Sequence, residues 1–140
     1  MHAPRLRFAA LSLLALLLIS AVGQGPGSRG RIYDPATETT ISGTVDKVTT
    51  VDRGGNWQGI HLSLKSGEQI YDVHAGPSAF ISDKGFTFAA GDQVEVLGSK
   101  VTLNNAPALI AREIRKDGKS LTLRDSSGIP VWAGQGRRWR

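Results

Sequence analysis

The residues with chemistry to offer gather in one stretch, Ile60–His74 (IHLSLKSGEQIYDVH), which holds His61, Asp72 and His74. Imidazole and carboxylate groups are apt ligands for Zn²⁺, Cu²⁺ or Ni²⁺, and two histidines with one aspartate would fill three coordination positions. The competing reading is a cross-strand His61–Asp72 hydrogen bond on a solvated face, with His74 ending a strand before Gly76-Pro77. Such a pair contributes roughly 0.2–1 kcal/mol. Ser63 lies two positions from His61, so a serine, a histidine and an aspartate share this neighbourhood. A nucleophile also needs an oxyanion site and a cleft. The sequence contains no G-x-S-x-G elbow, no H-E-x-x-H helix and no P-loop. The expectation is therefore a protein that is not an enzyme and has no obligatory cofactor, with Zn or Cu as the candidate ions. Arg53 and Trp57, just upstream, are candidates for stacking on a sugar or aromatic ligand, together with His61, Ser63 and Asp72. Trp57 capping a barrel mouth is the plainer alternative.

Positioning these groups is the task of two short alternating strands. With Ser66-Gly67 as a two-residue hairpin loop, Lys65 pairs with Glu68, Leu64 with Gln69, Leu62 with Tyr71 and Ile60 with Val73. Ile60, Leu62, Leu64, Tyr71 and Val73 then share the core face. On the other face His61 opposes Asp72, and His74 lies diagonally from His61. A slip of one residue would exchange the two faces.

Further strands flank this hairpin. Thr39–Val51 is rich in Thr, Val and Ile; it holds Gly43, and its apolar phase slips between Val45 and Val48, which predicts a bulge or sharp bend, as when one strand serves both halves of a small barrel. Asp52–Gln58 reads as a loop. Pro77 followed by Ser78–Lys84 and Gly85 predicts a short helix, and Phe80, Ile81, Phe86 and Phe88 are expected to plug a barrel. Val94, Val96 and Val101 mark a fourth strand and Ala108–Ile114 a fifth. Asp117-Gly118 is a strong hairpin signal that pairs Ile114 with Leu121 and starts a short sixth strand, Ser120–Arg124. Ile129–Trp132 reads as a last extended segment. The expected fold is all-β: a small five-stranded OB-like Greek-key barrel with one short helix between strands three and four.

The two ends differ from this middle. Arg5 and Arg7 precede an apolar run, Leu11–Val22, closed by small residues, the order of a secretory signal peptide cleaved near Ala21–Gly23. The run is shorter than the ~20 residues of a membrane span, so no transmembrane segment is expected after cleavage. Residues 1–23 are thus read as signal peptide, 24–38 as a flexible leader, 39–132 as the barrel domain and 133–140 as a basic disordered tail. There is no cysteine, which excludes disulfides, thiolate metal sites and cysteine nucleophiles. The formal charge of +5 falls to +3 without Arg5 and Arg7, and it is carried by the C-terminal end, where residues 112–140 hold 8 basic and 3 acidic side chains. Arg137, Arg138 and Arg140 could touch an anionic surface. Export makes nucleic acid an unlikely partner; a nucleic-acid-binding barrel becomes the better reading only without export. The expected location is periplasmic or secreted in a bacterium, and the expected partner a small ligand or an envelope protein.

Several pieces occur in an order that resembles a group of exported, largely uncharacterised bacterial OB-fold proteins. They are Tyr33-Asp34-Pro35, Gly43-Thr44-Val45, Tyr71-Asp72-Val73-His74, Gly76-Pro77, Gly91-Asp92-Gln93-Val94-Glu95-Val96 and Leu109-Ile110-Ala111-Arg112-Glu113-Ile114. Leu123-Arg124-Asp125, Gly128, Pro130 and Trp132 complete the set. The resemblance implies export and an OB-like barrel, and no activity. The periplasmic haem chaperone of cytochrome c maturation is more distantly similar in fold. It attaches haem through a C-terminal histidine, and residues 75–140 here hold none, so that function is not carried over. The leading expectation is an exported, non-enzymatic binding or accessory module of the cell envelope. The alternative is a periplasmic metal- or haem-handling protein built on His61, Asp72 and His74.

Overall fold

A computed structural model of the protein describes residues 32–55 and 57–134. The expected signal peptide, residues 24–31 of the expected leader, and Arg137, Arg138 and Arg140 lie outside the described residues. Six strands form one sheet: β1 (Glu38–Asp52), β2 (Gln58–Ser66), β3 (Gln69–Pro77), β4 (Gln93–Leu103), β5 (Ala106–Lys116) and β6 (Lys119–Thr122). Their order is β3-β2-β1-β4-β5-β6. A parallel seam, Asp72↔Ala108 to His74↔Ile110, joins β3 to β5 and closes the first five strands into a barrel. The one α-helix among the described residues, α1 (Ser78–Asp83), sits between β3 and β4. This is the OB-like Greek-key arrangement expected from the strand count.

Closing so small a barrel requires sharp bends, and glycines supply them. β1 pairs with β4 through Glu38–Thr44 and with β2 through Thr44–Asp52, with a bulge between Val45 and Lys47. One strand therefore serves both halves, as the phase slip predicted. At Gly43 an added Cβ would meet the Lys65 carbonyl, and at Gly98 it would meet the Ile110 carbonyl beside the β4–β5 bulge. At both corners backbone touches backbone, which leaves no room for a side chain.

The interior is filled by alternating residues, as a half-buried strand demands. Val45, Leu62, Leu64, Tyr71, Val73, Val96, Leu109, Ile114, Leu121 and Leu123 are buried, with Phe80 and Ile81 of α1 plugging one end. Phe86 and Phe88 pack on this core while staying partly exposed. The chain joins the fold earlier than the barrel expected from Thr39 onward. Tyr33 is buried, a 3-10 turn spans Pro35–Thr37, and the buried Ser99 hydroxyl bonds the Asp34 N–H and the Thr37 hydroxyl. Tyr33 donates from its hydroxyl to Glu38, which also pairs with Arg112 at 3.0 Å. Burial, with the Glu38 carboxylate next, pushes the Tyr33 phenol well above its ordinary range.

The central hairpin differs from its expected register. The two-residue loop is Gly67-Glu68, so Ser66 pairs with Gln69, Leu64 with Tyr71 and Leu62 with Val73. Gly67 has φ +60° and Glu68 is not in the left-handed region. A loop with positive φ at its first central residue alone is the II′ type, which wants glycine there. Placing Gly67 second had shifted every pair by two residues. An even shift preserves the faces, so Leu62, Leu64, Tyr71 and Val73 are inside as expected while their partners change. The last stretch also differs. Arg124 and Pro130 form an isolated bridge, and residues 131–134 turn rather than extend.

Candidate metal and ligand site

The corrected register changes who faces whom on the outer side of the hairpin. His61 stands directly opposite His74, while Asp72 opposes Ser63 and is diagonal to His61. A bulge between Ile60 and His61 precedes this pair. The expected direct His61–Asp72 opposition is thus replaced, yet the three groups still converge. His61 Nδ1 lies 3.1 Å from Asp72 Oδ1, and His74 Nε2 lies 3.0 Å from Asp72 Oδ2. The imidazole centroids are 4.0 Å apart, tilted by 41°. For one carboxylate to accept from both rings, His61 carries its proton on Nδ1 and His74 on Nε2.

One potential ligand atom from each of the three residues lies within 4.8 Å of the others. Tetrahedral Zn²⁺ with bonds near 2.05 Å separates its ligand atoms by about 3.3 Å. With Asp72 Oδ2 as the common carboxylate atom, the separations are 3.4 Å to His61 Nδ1 and 3.0 Å to His74 Nε2, close to that edge, and a metal bound there would displace the protons these two nitrogens carry. Both histidine side chains are mostly buried and Asp72 is half exposed. Ser63 has no hydrogen bond to His61 or Asp72 among the described residues.

Burial lowers the His74 pKa below its ordinary 6.5, with the neighbouring His61 acting in the same direction and Asp72 opposing. The shift favours the neutral imidazole, the form that a metal ligand needs. The folded protein binds that proton more weakly than the unfolded chain does. Stability contributed this way is intact above 6.5 and declines as the pH falls below it. Thermal melts between pH 7 and 5 should show the decline, and His74→Gln should flatten it.

Beside the histidines lies a cavity of about 450 Å³. His61, His74, Arg53 and Trp57 line it, whereas Ser63 and Asp72 do not. Two indoles flank its floor. Trp57 lies over Gly59 and Trp132 over Gly76, where an added Cβ would come within 2.9 and 2.6 Å of the respective rings. Arg53 sits above Trp57 at 5.8 Å and Arg124 above Trp132 at 5.3 Å. Trp57 is partly buried and lines the cavity. Sequence reasoning gave Arg124 and Trp132 no role. The available signal was an arginine directly after the apolar alternation Leu121, Leu123, with a tryptophan beyond the next turn.

A model of the MamS/MamX magnetosome protein family matches residues 37–121, which covers β1 through Leu121 of β6. The matched span contains His61, Asp72, His74, Arg53 and Trp57, and it stops short of Arg124 and Trp132. No curated protein matches the chain. The family match lends no support to the expected likeness to OB-fold export proteins or to the haem chaperone.

Proposed function

We propose a metal-holding accessory role for this protein, on the premise that the chain belongs to the MamS/MamX magnetosome protein family. The family's name speaks of magnetosomes, and the role we assign is that of an exported, non-enzymatic module serving such a compartment or the surrounding cell envelope. The single observation behind the reading is the convergence of His61, Asp72 and His74 on one face of the β2–β3 hairpin. A strand pair is a rigid mount, and a bridging carboxylate already fixes both imidazoles, as preorganised metal sites require. Borderline divalent ions, Zn²⁺ or Cu²⁺, suit this nitrogen-rich set with no thiolate. Three protein ligands leave a position open for water or for a group from a partner.

Calorimetric titration of the purified protein with Zn²⁺ and Cu²⁺ tests the site. Saturable binding in the micromolar range is expected. His61→Ala/His74→Ala should weaken it by about a hundredfold or more, since loss of a mere supporting partner already costs about 10–100-fold. An unchanged isotherm in the double variant would sink the proposal and leave the cluster as a surface hydrogen-bond network. Export is tested separately by fractionating cells that carry a tagged copy, where retention in the cytoplasm would remove that part of the reading. Among the described residues no helix is long and apolar enough to cross a membrane.

A further inference from the structure

The cavity beside the metal candidate has a chemistry of its own. Among the described residues its lining carries Arg53, Arg124, His61 and His74 and no carboxylate. Arg124 is partly buried, and among the described residues no acidic side chain pairs with it. Its Nη1 donates to three backbone carbonyls, those of His74, Ala75 and Ala111. All three bonds use that one nitrogen, and no buried side-chain nitrogen lacks a partner among the described residues. The other guanidinium donors therefore reach solvent in the cavity. Burial pulls the Arg124 pKa down to about 10, which leaves the group charged at neutral pH. A partly desolvated cation without a counter-ion is an unfavourable arrangement that an incoming anion would relieve.

The other lining side chains are apolar apart from Tyr33, whose hydroxyl is taken up by Glu38. Ile32 and Ile129, 54% and 39% exposed, stand at its rim, and the only other large exposed hydrophobic among the described residues is Ile70. Exposed aliphatic groups gathered around a concave site mark a place where an apolar body docks. The volume falls within the usual range for small organic ligands, roughly 300–1,000 Å³.

We propose that this cavity binds an amphipathic organic anion, a carboxylate on a planar apolar body. Arg124, assisted by Arg53, takes the carboxylate, and Trp57 and Trp132 flank the body. A guanidinium suits a carboxylate because its forked donors match the two oxygens. The proposal stands without the metal site, because neither arginine belongs to the ligand set.

The test is a calorimetric comparison of 2-naphthoate with its neutral analogue 2-naphthamide, at fixed ionic strength with EDTA present, so that the metal reading plays no part. The acid should bind saturably and at least about tenfold tighter than the amide, the usual value of a charge-assisted hydrogen bond. Arg124→Gln should bring the two affinities together, and Arg53→Gln should narrow the gap. Equal affinity for acid and amide on the unaltered protein would overturn the proposal, as would no saturable binding of either at millimolar concentration. The wild-type comparison decides the question even if Arg124→Gln fails to fold.

Discussion

Val73→Asp should leave the protein unfolded at room temperature, whereas Ile70→Asp on the same strand should leave it intact. Val73 is fully buried at the centre of β3, opposite Leu62 on β2 and beside Leu109 across the parallel seam. The substitution removes about 1.5–3 kcal/mol of apolar burial. It also strands a carboxylate in the core, at a cost of several kcal/mol more after relaxation. Together these approach or exceed the ~5–15 kcal/mol that holds a domain folded. Ile70 is half exposed and opposes Lys65, so an aspartate there meets water and a cation. A change within about 0.5 kcal/mol is expected. Circular dichroism and thermal melts of the two variants check this. A cooperative Val73→Asp protein melting within a few degrees of wild type would mean that the core face is misassigned.

The second large effect comes from adding a single methyl group. Gly98→Ala places a Cβ against the Ile110 carbonyl and 3.0 Å from Ala111 Cα. A side chain in the way could rotate aside, but here the obstacle is the backbone of β5 at a bulge. Ordinary overpacking costs about 1–3 kcal/mol, and this site should lie at or above the top of that range. Urea unfolding measures the difference, and a loss below about 1 kcal/mol would show that the β4–β5 corner opens freely. Gly43→Ala, at the opposite corner, should behave similarly for the same reason.

These two positions illustrate what was legible in the chain. Alternation alone put Val73 inside, because a strand has two faces and a hairpin error of two residues returns each side chain to its own. Gly43 was marked by a phase slip in a long β-rich run, and Asp117-Gly118 by its turn chemistry. Gly98 gave no comparable signal, since its tightness comes from a strand distant in sequence. The same limit governs the candidate site. His61, Asp72 and His74 were found because all three lie on one hairpin. Which histidine faces which group depended on whether Gly67 stands first or second in the loop, and on a bulge at Ile60 that no local pattern announced. Arg124 and Trp132 carried the resemblance but gave no sign of a place at the cavity. They reach the cavity from the segment after β6, and only the closed barrel brings that segment over β3.

The parallel seam between β3 and β5 separates the two halves of this protein in time. Antiparallel contacts around a two-residue loop form within microseconds, since little chain must be searched. The seam joins strands with α1 and β4 between them, and it must wait for that longer loop to close. The three metal-ligating candidates therefore face one another on a hairpin that can form before the barrel shuts. The cavity, with walls drawn from Ile32 to Trp132, is complete only once that seam has closed. A metal ion held at the proposed cluster would thus act on the folding chain, while the proposed organic anion would recognise only the finished molecule.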